Sequence, residues 1–200
     1  MTSATTPKGE RRRQALVQAA AELLIEGGFD TVRHRAVAER AGVPLASTTY
    51  YFSSLEDLQA EAVKYTAHTE LAAANQRIED LAERKRSVDT VVELMLDLLL
   101  GPAAAGSSTE LILVRYERLV TTGRRPALAP LIRELGRKLD DVLIEVFARS
   151  GMPIESAGLA RLIALVDGAV VNALIDITSD PRQAASEMLR AELARLYPDS

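Results

Sequence analysis

Apolar residues in this chain recur three and four positions apart, and no stretch sustains an apolar–polar alternation. That period is the signature of amphipathic helices rather than strands. It predicts a first helix from about Lys8 to Glu26, with Leu16, Ala19, Ala20, Leu23 and Leu24 on one face and Gly27-Gly28 as its stop. Two short helices follow, the first running into Ala41-Gly42-Val43 and the second spanning Pro44 to about Tyr51-Phe52. A long helix starts near Ser54, with Glu56 and Asp57 at its positive end, and is expected to reach about Lys85. Val88 to Leu100 ends at Gly101-Pro102, and Ser107 with Glu110 forms a capping box for a segment to about Val120. Pro126 opens a helix whose stripe is Leu128, Leu131, Ile132, Leu135, Leu139, Val142, Leu143 and Val146. Another runs from about Glu155 to Thr178, and Asp180-Pro181 caps and opens the last, which ends near Tyr197. The expected fold class is all-α, with residues 1–53 as a helix-turn-helix domain and 54–200 as a second helical domain.

Composition narrows the chemistry. There is no cysteine and there are two histidines among 200 residues, which excludes disulfides and thiolate metal sites and leaves little for a histidine-built one. No glycine-rich phosphate loop, paired-histidine metal motif or nucleophile–base motif is present, so an enzyme is a poor reading and no cofactor is expected. The N-terminal stretch MTSATTPKGERRRQ lacks the apolar core of a signal peptide, and Val91–Leu100 is too short and too charged to span a bilayer. A cytoplasmic protein without a membrane partner is expected. The net charge is −4, yet residues 1–52 hold seven basic side chains against five acidic ones. The positive excess therefore sits with the two short helices, which suits a polyanionic partner.

Helix, glycine-containing turn and helix within about 20 residues is the helix-turn-helix pattern, whose second helix can enter the DNA major groove. Gly28-Phe29, Val37-Ala38-Glu39, Ala41-Gly42-Val43, Tyr51-Phe52 and Glu56-Asp57-Leu58 stand in an order that resembles the N-terminal domain of TetR-type transcriptional repressors. The resemblance covers about the first 60 residues. It implies a homodimer that binds a palindromic double-stranded operator and is released by a small-molecule ligand. It also implies that Pro44, Leu45 and Thr49 read the major groove, with Ser47 and Tyr50 beside the backbone and Thr31, Arg33 and Arg35 on phosphates. A reading helix this apolar points to thymine-methyl contacts, Thr hydroxyls and DNA shape rather than Arg–guanine forks. The family commonly has Tyr where Thr49 stands, Lys where Leu55 stands and Thr where Arg33 stands, so the operator is expected to differ from those of relatives. His34 is expected to be a packed, hydrogen-bonded histidine, and the Arg11–Arg13 run is either a solvated helix end or a phosphate contact.

Beyond residue 60, a cavity and a dimer interface compete for the apolar positions. The last two helices are expected to pair with those of a second copy through Leu162, Val166, Ala169, Ala173, Met188, Leu189 and Leu193. Polar, aromatic or soft groups inside apolar stripes are the candidate ligand contacts: Tyr65, His68, Met95, Tyr116 and Asn172. Scarce aromatics argue for an aliphatic or mixed lining and hence a small apolar or mixed-polarity ligand. The long helix from Ser54 would carry a ligand-induced shift to the recognition helices. Two other readings stand beside this one: a helical dimeric interaction module, and an operator-binding regulator controlled by a partner protein.

Overall fold

In the computed structural model, which describes residues 6–79, 85–103, 109–176 and 179–198, all regular structure is helical. Nine α-helices occur among the described residues: α1 Pro7–Gly27, α2 His34–Arg40, α3 Ala46–Tyr51, α4 Leu55–Glu79, α5 Val88–Leu100, α6 Thr109–Gly123, α7 Ala129–Arg149, α8 Ser156–Ile175 and α9 Pro181–Leu196. Single 3-10 turns, Phe29–Thr31 and Pro126–Leu128, precede α2 and α7. The expected boundaries hold where a residue type enforces them. Asp180 accepts hydrogen bonds from the N–H groups of Arg182 and Gln183 while Pro181 fills the first position of α9. Ser87 caps α5, and Gly101 ends it at φ 95°. Ser54 Oγ accepts from Asp57 N at 3.0 Å, as expected of the start of α4. The predicted capping residue Ser107 lies outside the described residues; α4 is described as far as Glu79, and Lys85, its expected end, is not helical.

The chain divides into two compact units, Met1–Glu70 with Val114–Ile132, and Leu71–Leu113 with Arg133–Ser200. The first is built around Leu16, Ala20, Leu24, Phe29, Val32, Val37, Phe52, Leu58 and Ala62 from α1 to α4. Leu128, with Leu131 and Ile132 against it, belongs to the same core although it lies much further along the sequence. The small side chains Ala19, Ala20 and Ala21 let the neighbouring helices approach α1 closely.

In the second unit, α9 packs between α5 and α8. Arg182 ties α5 to α9: its side chain is 13 % exposed and reaches Asp97 at 2.6 Å, Glu93 at 3.1 Å and the Gly101 carbonyl at 2.8 Å. Two arginines close helix ends that would otherwise leave carbonyls unpaired. Arg86 donates to Arg149 O at 2.9 Å, and Arg149 donates to Ile78 O at 2.7 Å. Among the described helices, α8 alone is long and apolar enough to cross a membrane by length and composition, with a mean hydropathy of 1.8. Its hydropathy has a local cause. One face, Leu159, Leu162, Val166, Ala169, Val170 and Ala173, is buried within the chain. On the opposite side an uncharged row, Ala160, Ala164, Gly168, Val171 and Ile175, is exposed, flanked by the exposed Arg161 and Asp167.

Candidate nucleic-acid interface

The reading element is short and its faces are sharply divided. The backbone turns between α2 and α3 at Gly42, whose φ of 64° is a left-handed conformation that a side chain resists. Within α3, Thr48 is fully buried and Ser47 is 9 % exposed, while Thr49 and Tyr50 face outward. Leu45, immediately before α3, is 52 % exposed, and Tyr50 is 81 % exposed. Pro44 is exposed beside them. Large apolar groups left in water at this density on a six-residue helix require a reason other than folding.

Two of the expected DNA contacts are corrected by this geometry. Ser47 points into the small core beside Thr48, four residues after Val43 and four before Tyr51, and so has little surface left for a phosphate. The Thr31 hydroxyl is engaged within the chain, 2.6 Å from Leu23 O and 2.8 Å from Gly28 O. Its methyl lies so close to Gly27 that a Cβ there would stand 2.4 Å from it. Thr31 thus locks the end of α1 to the turn before α2. Arg33 and Arg35 remain exposed at the start of α2, with Arg33 Nε donating to Asp30 O at 2.9 Å.

The other cations of the first unit separate into engaged and open ones. Arg40 forms a two-pronged pair with Glu26, at 2.8 and 2.7 Å, and reaches Glu22 at 3.5 Å. The bond to Glu26 raises the Arg40 pKa above its ordinary value, and the same bond to Arg40 lowers that of Glu26. Arg13 is held by Glu61 at 2.6 Å and lies over the Phe52 ring at 5.5 Å. It therefore ties α1 to α4 rather than facing outward with Arg12, which is exposed. Arg11 bends back to Pro7 O at 3.2 Å. His34 is half-buried as expected, but its Nδ1 is buried with no hydrogen-bond partner among the described residues, contrary to the expected satisfied histidine.

The expected ligand contacts are divided between the two units. Tyr65 packs against the core of the first unit, His68 is exposed and Tyr116 is half-buried. In the second unit Met95 is fully buried and Asn172 is exposed. A recess of about 40 Å³ in that unit is lined instead by Ala74, Arg77 and Ile78 of α4, Leu94, Asp97 and Leu98 of α5, and Val146 of α7. Its walls are aliphatic with one cation and one carboxylate, and none of the expected contact residues lines it.

The expected dimer face is corrected as well. Leu162, Val166, Ala169, Ala173, Leu189 and Leu193 are each at most 6 % exposed within the single chain, so a second copy finds no surface on them. Met188, at 45 %, is the one expected interface residue left open.

Comparison with known proteins agrees with this architecture. Residues 16–62 match the family of bacterial regulatory proteins described as the tetR family, and residues 86–195 match the tetracyclin repressor-like C-terminal domain. The chain belongs to the TetR family of DNA-binding transcriptional regulators, which are not enzymes. It is 25 % identical over 176 residues to the HTH-type transcriptional regulator PksA of Bacillus subtilis (strain 168), covering 84 % of this chain and 80 % of that protein. Among solved structures it resembles the multidrug binding protein EbrR complexed with imidazole, with 27 % identity, a TM-score of 0.64, and 92 % and 94 % of the two chains covered. A TetR-family member from Streptomyces coelicolor A3 matches at 27 % identity and a TM-score of 0.56, over 92 % of this chain and 97 % of that one.

Proposed function

We propose that this regulator is a cytoplasmic homodimeric repressor that binds a palindromic operator and is released from it by a small molecule. The division of α3 carries the DNA-reading half of the proposal: Leu45, Thr49 and Tyr50 face outward beside Arg33 and Arg35, while Ser47 and Thr48 fill the core. Leu45 supplies an apolar group for thymine methyls, Thr49 and Tyr50 supply hydroxyls, and the two arginines supply phosphate contacts. Thr49 Oγ1 already donates to Ala46 O at 3.2 Å, which leaves its lone pairs to accept.

The second copy is assigned to the outer faces of α8 and α9. Ala160, Ala164, Gly168, Val171 and Ile175 on α8 and Ala184, Met188 and Ala191 on α9 form a stripe of mostly small residues, partly or fully exposed, edged by the exposed charges Arg161, Asp167 and Arg195. A Cβ at Gly168 would meet nothing within 4 Å in its own chain, so the chain's own packing does not require a glycine there. Close approach by an external helix would. A palindromic operator requires the two recognition helices of such a dimer to lie about one DNA turn, roughly 34 Å, apart.

The ligand half is supported by EbrR, solved with imidazole, proflavin and ethidium, and by α4. That helix is continuous from Leu55, just after the reading motif, to the recess-lining residues Ala74, Arg77 and Ile78. The recess is too small for a drug-sized ligand, which occupies roughly 300 Å³ or more. A ligand must therefore select a more open arrangement, and its preference for that arrangement sets how strongly it releases DNA. The small recess equally favours a second reading, control by a partner protein docking on the helical unit. Selection of duplexes from a random pool, followed by titration of the selected complex with proflavin and ethidium, tests the reading. Recovery of a palindrome released by either dye supports it. Failure to select any sequence sinks the operator assignment, and a palindrome unmoved by the dyes while they bind shifts control to a partner protein.

A further inference from the structure

The core of the DNA-reading unit is completed by a segment far from the motif, and one side chain in it reaches the backbone that sets the motif's posture. Arg125 stands between α6 and the turn Pro126–Leu128. Its guanidinium carbon lies 3.8 Å from the centre of the Phe29 ring, and its Nη2 donates to Gln59 Oε1 at 3.3 Å. Gln59, on α4, is 5 % exposed. Its Nε2 donates to Phe29 O at 3.2 Å and to Val32 O at 3.3 Å. The amide can face only one way. Turned over, its oxygen would meet two carbonyls, which only accept, and its nitrogen would meet a guanidinium, which only donates. Phe29 to Val32 is the turn leading directly into Arg33–Arg35 and α2, and Leu128 is buried in the same core.

We propose that Arg125 is a positioning residue for DNA reading: it orients the Gln59 amide and clamps Phe29, and so fixes the angle at which α2 and α3 are presented. This rests on the operator-binding reading above. Three elements then act on one turn: α4 through a buried amide, the α6–α7 connection through a cation, and the adjoining α1 through the Thr31 lock. The consequence is that the functional DNA-reading unit does not end at α3 or within α4. A displacement at the C-terminal end of α6 is passed to the recognition helices through the Arg125 side chain.

The test uses the full chain and a duplex selected by the wild-type protein. Arg125→Met keeps the stem but removes the cation and its donors, and Gln59→Leu removes the amide. Each is expected to weaken binding of the selected duplex about 10-fold, the size of one charge-assisted hydrogen bond. Affinity for a scrambled duplex should stay within about twofold, because phosphate contacts are untouched. The double variant should lose no more than either single one, and Arg125→Lys should recover part of the loss. Amide exchange at residues 31–37 should quicken in both single variants while helical content is retained. Selected and scrambled duplexes weakening together, multiplicative losses in the double variant, or wild-type affinity in Arg125→Met would each overturn the proposal. Should Gln59→Leu fail to fold, the ratio of selected to scrambled affinity in Arg125→Met decides. A wild-type chain that selects no duplex overturns the operator reading instead, so the two failures are distinguishable.

Discussion

The outward face of α3 and the outward face of α8 both leave apolar side chains in water, and they do so in different company. At the start of α3 and within it, Leu45 and Tyr50 are 52 % and 81 % exposed, with hydroxyls beside them and two exposed arginines, Arg33 and Arg35, at the start of α2. On α8, Val171 and Ile175 are 44 % and 75 % exposed along a row of alanines and a glycine. A surface that must meet a charged, hydrated groove mixes apolar groups with donors and cations. A surface that must meet another helix closely removes side-chain bulk and charge. Exposure alone does not distinguish them; the neighbours do.

Charge on the α8 face should break this division most severely. Ile175→Asp places a carboxylate in each half of the proposed interface, and dimer dissociation is expected to rise by roughly 100-fold or more. Sedimentation should then show single chains at micromolar concentration, with operator binding abolished although α3 is untouched. A fully dimeric Ile175→Asp would show that the second copy sits elsewhere. On the α3 face, Leu45→Ala should leave the dimer intact and change the preferred base at one position per half-site. Discrimination there should fall by about 1–3 kcal/mol, read by repeating the duplex selection. Unchanged preference would remove Leu45 from the reading face. Arg35→Gln is expected to act more evenly, weakening selected and scrambled duplexes alike and reducing the salt slope by about 0.9 for each phosphate left unneutralised. Tyr50→Phe removes one hydroxyl and should cost about 1 kcal/mol of operator affinity in a binding titration, with no effect on dimerisation.

Much of the architecture is legible in the residues, and the misplacements have physical causes. Helix ends are readable where proline, glycine or a capping side chain enforces them, as at Gly28, Gly101 and Asp180-Pro181. The family and the reading helix follow from the Ala41-Gly42-Val43 turn and the Tyr51-Phe52 ending. Ser47 and Thr31 mislead because a hydroxyl suits either a phosphate or a helix carbonyl, and composition does not choose between them. For Ser47 a signal does exist, since Val43, Ser47 and Tyr51 repeat every four residues and share the inward face. The α8 face misleads for a different reason. The helix is apolar on both sides, so periodicity marks two apolar surfaces without showing which one the chain's own core covers. Size separates them only in the first half, where Leu159, Leu162 and Val166 fill the chain's own core while Ala160, Ala164 and Gly168 face out; further on, Ala169 and Ala173 are buried and Val171 and Ile175 are exposed. Arg125 and Gln59 carry no local signal at all, because their partnership spans 66 positions.

The proposed pairing through the outer face of α8 would also set how the regulator responds to its own supply. If only a paired chain can grip both half-sites, then while chains are scarce the DNA-competent species grows with the square of their number, and halving synthesis lowers it about fourfold. Above the dimer's dissociation constant the relation becomes linear and the circuit loses that steepness. The alanines and Gly168 on α8 would therefore tune gene dosage: a substitution there that never approaches DNA would move the threshold at which the target gene falls silent.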